Sequence, residues 1–132
     1  MKMLELLVVD DEPVNRKMAC LMLTHEGHAV TVASDGREAV EMCLIQPFDA
    51  VVMDVQMPRL NGVEAIRTLR ADGRTKHLPI VSFSANTDWL EAVMEAGADG
   101  FLKKPFKRLE LLRAIRSAMA ERARITSVER HR

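Results

Sequence analysis

Net charge is missing from this chain. Its 132 residues carry 19 basic and 19 acidic side chains. No overall positive field exists to hold nucleic acid or an anionic membrane. Cysteine is scarce: Cys20 and Cys43 stand far apart within apolar segments, which excludes a disulfide framework and a zinc-ligand spacing and points to a reducing, cytoplasmic setting. Long apolar runs are missing too, since Leu6–Val9 and 49–53 fall far short of the ~20 residues a membrane span needs. The N-terminus makes a poor secretory signal, because Glu5 interrupts its apolar part and Asp10-Asp11-Glu12 stands where a cleavage site belongs. No internal repeat or low-complexity segment occurs. What remains is 48% apolar and 29% charged, an ordinary composition for one globular domain with a real core.

Short apolar runs alternate with stretches of helical period. Leu6-Leu7-Val8-Val9 predicts a buried strand. A helix follows from Pro13, a residue suited to a first turn, with Asp11 as a plausible cap and Gly27 as its end. The alternation over 29–33 suits an edge strand, and Asp35-Gly36 is a turn before a second helix. Ala50–Met53 predicts a third strand ending at Asp54, and a helix carrying Val63, Ile66 and Leu69 follows a loop with Pro58, Asn61 and Gly62. Pro79–Phe83 predicts a fourth strand, followed by a short helix ended by Gly97. Gly100–Leu102 is a weak fifth strand, and Leu109, Leu112, Ile115 and Met119 mark a last helix. Residues 1–120 are expected to form the domain, and 121–132 the end of the last helix and a charged tail. The expectation is an α/β domain, a (βα)5 unit with a mostly parallel sheet and helices on both faces.

Polar residues fall at the strand ends. Asp10 and Asp11 follow the first strand, Asp54 the third, Ser84 the fourth and Lys104 the fifth. A parallel sheet puts all those ends on one edge, where ligands of open α/β sheets bind. In the order 2-1-3-4-5 the first and third strands are neighbours, and Asp10, Asp11 and Asp54 converge. Three carboxylates in one place repel unless a cation joins them or some are protonated. Carboxylates, a backbone carbonyl and water are the ligands Mg2+ prefers. A carboxylate can accept a phosphoryl group as a nucleophile, and phosphoryl transfer asks mainly for positioning and charge neutralisation.

With these residues in place, the chain resembles the receiver domain of two-component response regulators. The resemblance rests on Val8-Val9-Asp10-Asp11-Glu12, Val52-Met53-Asp54-Val55-Gln56-Met57-Pro58, Asn61-Gly62, Pro79-Ile80-Val81, Ser84-Ala85, Ala96-Gly97-Ala98-Asp99-Gly100 and Lys104-Pro105-Phe106, in the family's order over nearly the whole chain. It implies the flavodoxin-like, doubly wound fold with strand order 2-1-3-4-5. It implies Asp54 as phosphoacceptor, and Mg2+ (Mn2+ also serving) held by Asp10, Asp11, Asp54 and the backbone carbonyl of Gln56. It implies Ser84 and Lys104 as phosphoryl-binding switch residues, Phe101 as the aromatic switch, and a cis Lys104–Pro105 peptide. Gln56 and Asn86 fall where the family tunes dephosphorylation. Ser84 keeps the hydroxyl of the commoner Thr without its methyl, and Phe101 lacks a Tyr hydroxyl.

Each residue has an ordinary reading by itself. Asp11 could only cap the first helix, Asp54 could start a turn, Ser84 could be a loop hydroxyl and Lys104 a solvated lysine. Their coincidence at four strand ends is what those readings leave unexplained. His25, His28, His77 and His131 show no ligand spacing and read as surface or loop residues; most of the nine methionines read as core. Trp89 reads as packing. Lys103, Lys107 and Arg108 read as a partner surface or a solvated face.

The leading expectation is a phosphorylation-dependent signalling switch. A sensor histidine kinase or histidine phosphotransfer protein donates to Asp54, and an unknown output partner responds to the face of the fourth helix, fifth strand and fifth helix. The protein would catalyse its own phosphorylation and slow dephosphorylation without a dedicated substrate. It would be a monomer or weak dimer that binds no nucleic acid or membrane directly. It would be a stand-alone regulator or a receiver from a longer protein such as a hybrid kinase, toward which Pro13-Val14-Asn15-Arg16 leans. Three alternatives stand beside it. A phosphatase of the haloacid dehalogenase type is opposed by Gln56, which cannot exchange a proton where that class has a second Asp. A docking module would ignore phosphorylation. A flavin carrier is opposed by Asp10-Asp11-Glu12, which would repel a phosphate.

Overall fold

The computed structural model describes residues 2–131. Five strands, β1 (Glu5–Val9), β2 (Ala29–Ala33), β3 (Ala50–Asp54), β4 (Ile80–Ser84) and β5 (Gly100–Lys103), alternate with helices α1 (Pro13–His25), α2 (Gly36–Ile45), α3 (Gly62–Ala71), α4 (Leu90–Ala96) and α5 (Arg108–Arg130). All pairings are parallel, and the order is β2-β1-β3-β4-β5. The doubly wound α/β expectation holds. The register sets Leu6 opposite Ala50 and Val52 opposite Val81, so β1, β3 and β4 end close to one level.

The period of two in each central strand builds two cores. Leu7, Val9, Val51 and Met53 face α2, α3 and α4; Leu6, Val8, Ala50 and Val52 face α1 and α5. Because both faces are covered, these strands read as continuous apolar runs. Each fully buried Leu, Val or Ile contributes about 1.5–3 kcal/mol. Ser82 enters this core with its hydroxyl donated to the Met53 carbonyl at 3.1 Å. Among the described residues no helix is long and apolar enough to cross a membrane.

Two local expectations, the Asp11 cap and the surface reading of His28, are corrected, and two others gain detail. Asp11 does not cap α1: the cap position is Glu12, which makes no side-chain cap bond. His28 is buried, its Nδ1 accepting from the Leu4 amide at 3.1 Å. Among the described methionines only Met53 is fully buried; Met22, Met42, Met57 and Met119 pack half-buried against the two cores, while Met18 and Met94 face solvent. Their helical spacing marked a face, and its rim remains open. The segment after residue 120 is helix as far as Arg130. Two ties bring it back onto the domain: Arg122 Nε reaches Asp99 Oδ1 at 2.6 Å, and His77 Nε2 reaches Glu129 Oε2 at 3.0 Å.

Asp99 also accepts from Arg70 Nη2 and from the Ile80 amide, both at 2.9 Å. Burial pushes the Arg70 pKa down to about 10, the Asp99 charge opposing that fall and Arg122 adding to it. One carboxylate, its side chain 1% exposed, is therefore shared by two largely buried guanidinium groups from α3 and α5. Asp99→Ala leaves both uncompensated and is expected to cost about 3–5 kcal/mol, read from the midpoint of urea unfolding. A loss below about 1 kcal/mol would show that water or nearby carbonyls take over.

Candidate functional site

The acidic edge begins with β1. Asp10 is fully buried just past that strand, its amide bonded to the Ala33 carbonyl at 3.2 Å. Its Oδ1 accepts from the Glu12 amide at 2.9 Å, and its carbonyl accepts from Arg16 Nη1 at 2.8 Å. Asp10 thus satisfies a donor at the start of α1, a task the sequence suggested for Asp11. That leaves the exposed Asp11 carboxylate without a structural duty at the helix start.

Asp54 closes β3. Its Oδ1 accepts from the Val55 amide at 2.8 Å. The β3–α3 connection returns tightly: the Gly62 amide donates to the Val55 carbonyl at 2.7 Å. A Cβ on Gly62 would stand 2.5 Å from the Asp54 carbonyl oxygen, so only glycine lets α3 start this close to the acidic residue.

Lys104 follows β5. Its amide donates to the Ser84 carbonyl at 2.9 Å, which extends the β4–β5 pairing past the strand. The Lys104–Pro105 peptide is cis. Lys104 Nζ donates to Asp10 Oδ2 at 3.2 Å and to Asp54 Oδ2 at 3.3 Å. Its charge sits 4.9 Å from the centre of the Phe83 ring, which packs edge-on against Phe106 at 5.6 Å. An aromatic wall therefore lines one side of the ammonium at cation–π distance.

Carboxylate oxygens of Asp10, Asp11 and Asp54 all lie within 4.8 Å of one another. Burial raises the Asp54 pKa, Lys104 pulls it back and the Asp10 charge adds to the rise; it stands at about 6 against an ordinary 3.8. One ammonium stands against three carboxylates at this edge.

Of the remaining candidates, Ser84, Asn86 and Gln56 lie at or just past the same strand ends, and Phe101 sits earlier on β5 opposite Ser82. Ser84 is buried, and its Oγ accepts from the Asn86 amide at 3.1 Å. Asn86 is exposed and caps the single 3-10 turn before α4, accepting from the Asp88 amide at 2.8 Å. Gln56 is exposed on the β3–α3 loop. Phe101 is half-buried on β5 against the core that faces α2, α3 and α4. The sequence reading missed Arg16, Phe83 and Phe106; the four-residue step from Glu12 to Arg16 and the aromatic after Lys104-Pro105 were the available signals.

A model of the family described as response regulator receiver domain matches residues 6–116. The chain belongs to that family. It is 42% identical over 116 residues to the response regulator MprA of Mycolicibacterium vanbaalenii, a match covering 86% of this chain and 49% of that protein. The MprA of Mycobacterium leprae is 42% identical over 118 residues, 88% of this chain and 51% of that one. The chain spans about half the length of these relatives. Among solved structures it is similar to the receiver domain of a sensor histidine kinase of Pseudomonas aeruginosa, which holds a magnesium ion coordinated in its active site cleft (TM-score 0.84, 36% identity, 90% of this chain and 99% of that one). It is also similar to a chemotaxis response regulator of Vibrio cholerae (TM-score 0.82, 31% identity, 89% and 99%).

This receiver's own donor set fits a hard divalent cation. It consists of oxygen donors only, clustered and under-neutralised, as such a cation requires. In the metal-free receiver the linkage has a definite sign. The folded Asp54 pKa of about 6 lies above the ordinary 3.8. The folded state therefore binds more protons between those values and loses stability as pH rises through them. Asp54→Asn cannot ionise, so without divalent ions it is expected to be more stable than the native chain at pH 7 by roughly 1–3 kcal/mol. The gain should vanish below pH 3.8. Thermal melts across pH check this, and equal stability at pH 7 contradicts it.

Proposed function

We propose that this receiver is a phosphorylation-dependent switch in which Asp54 accepts a phosphoryl group. The observation that carries this reading is the cluster itself: three carboxylates gathered within 4.8 Å beside one lysine. Asp10, Asp11, Asp54 and the backbone carbonyl of Gln56 would hold Mg2+ or Mn2+. Such an ion offsets their repulsion and supplies positive charge to the phosphoryl oxygens. A carboxylate oxygen of Asp54 attacks phosphorus; the bond from phosphorus to the imidazole nitrogen of a phosphohistidine donor breaks, and the imidazole leaves. A sensor histidine kinase or a histidine phosphotransfer protein is the donor class.

Lys104 binds the new dianion in place of the charge it now neutralises on Asp54. Ser84 gives up its acceptor bond from Asn86 and donates its hydroxyl to a phosphoryl oxygen. That movement frees space beside β5, and Phe101 turns further inward. The face of α4, β5 and α5 then changes its affinity for an output partner, as any two-state device must if phosphorylation is to act at a distance. Gln56 and Asn86, two residues beyond Asp54 and Ser84, flank the route of an attacking water and set the phosphate lifetime. The protein promotes its own phosphorylation and dephosphorylation and turns over no separate substrate. Gln56 stands against sustained phosphoesterase activity, because an amide cannot exchange the proton such turnover requires.

Incubation with acetyl phosphate and Mg2+, borohydride trapping and peptide mass spectrometry test the assignment. The label is expected on Asp54, to require the divalent ion and to be lost in Asp54→Asn. Persistent labelling of that variant at another carboxylate would reject it.

A further inference from the structure

The loop between Asp54 and α3 carries an ion pair that the phosphorylation chemistry does not use. Asp35, at the β2–α2 corner, is buried, and its Oδ1 caps α2 by accepting from the Glu38 amide at 2.8 Å. Its Oδ2 accepts from Arg59 through both Nε, at 2.9 Å, and Nη2. Burial works to raise the Asp35 pKa, but the Glu38 amide and the Arg59 guanidinium together hold it below the ordinary carboxylate range. Arg59 is the one non-glycine residue with positive φ among the described residues, at 66°. That conformation is unfavourable for an L side chain, so something must hold it there. Beside it the Gly36 amide donates to the Leu60 carbonyl at 3.0 Å, and that carbonyl crowds Gly36 so closely that no Cβ would fit.

The loop is thus fixed at both ends. Its inner end is closed by the Gly62 amide on Val55, and its outer end by Arg59 and Leu60 on the β2–α2 corner. Gln56 lies between the two ties. We propose that Arg59, through Asp35, is a positioning residue that preorganises the β3–α3 loop for divalent-cation binding at the acidic cluster. The inference rests on the function proposed above. Small hard cations tolerate little error in ligand placement, and a loop free to wander must be ordered at the moment of binding. The clamp does that ordering in advance. It is not a catalytic group, since it reaches the site only by way of backbone.

The test uses the full chain with Arg59→Ala, Arg59→Gly and Arg59→Lys. Mg2+ affinity is measured by calorimetry, and amide hydrogen exchange over 56–60 is measured without metal. The glycine variant accepts positive φ without penalty, so it separates the guanidinium from backbone strain. Arg59→Ala and Arg59→Gly are both expected to weaken Mg2+ binding about two- to ten-fold, the worth of one net hydrogen bond, and to speed exchange in the loop; Arg59→Lys is expected to recover part of both. The side chain of Arg59 is 59% exposed. The affinity ratio between native chain and Arg59→Ala should therefore shrink in about 1 M salt, where screening acts within ~3 Å. Unchanged affinity and exchange in both truncated variants, or full recovery in Arg59→Gly, overturns the clamp. A native chain that binds no Mg2+ overturns the reading of the site itself, together with this inference.

Discussion

Repulsion among three carboxylates is the constraint on which the rest of this molecule turns. Asp10 and Asp54 are buried, Asp11 closes the group from solvent, and one ammonium is shared by the first two. Charges a few ångströms apart at a partly desolvated edge interact strongly; burial is the first cause of the raised Asp54 pKa, and the Asp10 charge adds to it against the pull of Lys104. The parallel sheet creates this tension. It brings the ends of β1, β3 and β5 to one edge, where residues nearly a hundred positions apart meet: Asp10 and Lys104 share an ion pair at 3.2 Å. A site of this kind is poised for a cation or for a group that alters its charge.

Much of the frame was legible because it rests on local regularities. Buried parallel strands are apolar throughout, so Leu6–Val9 and Ala50–Met53 announced themselves. Pro13 and Gly27 bounded α1 as their backbone preferences require. The strand order came from family resemblance, since nothing in a sequence reports which parallel neighbours meet. Pairwise geometry was less legible. Asp10 and Asp11 are adjacent carboxylates, and only coordinates reveal that Asp10 holds the Glu12 amide while Asp11 stays clear. His28 looked like a loop residue because its partner, the Leu4 amide, lies 24 positions away. Asp35 and Arg59 are equally remote, and so are Arg70, Asp99 and Arg122. Ion pairs across elements leave no periodic trace.

The charged last helix returns to the domain through Arg122 and Glu129. Ser84 accepts from the Asn86 amide at 3.1 Å, which leaves its hydroxyl proton available to a further acceptor. The magnesium seen in the related kinase receiver accords with the oxygen-only donors at the corresponding edge of this fold.

The most direct measurement of the central claim is isothermal titration of the native chain and of Asp10→Asn/Asp54→Asn with MgCl2 at pH 7. The account predicts a single saturable site in the native chain that disappears in the double variant. No saturable heat in the native chain, or an equal affinity after both carboxylates are neutralised, would contradict it.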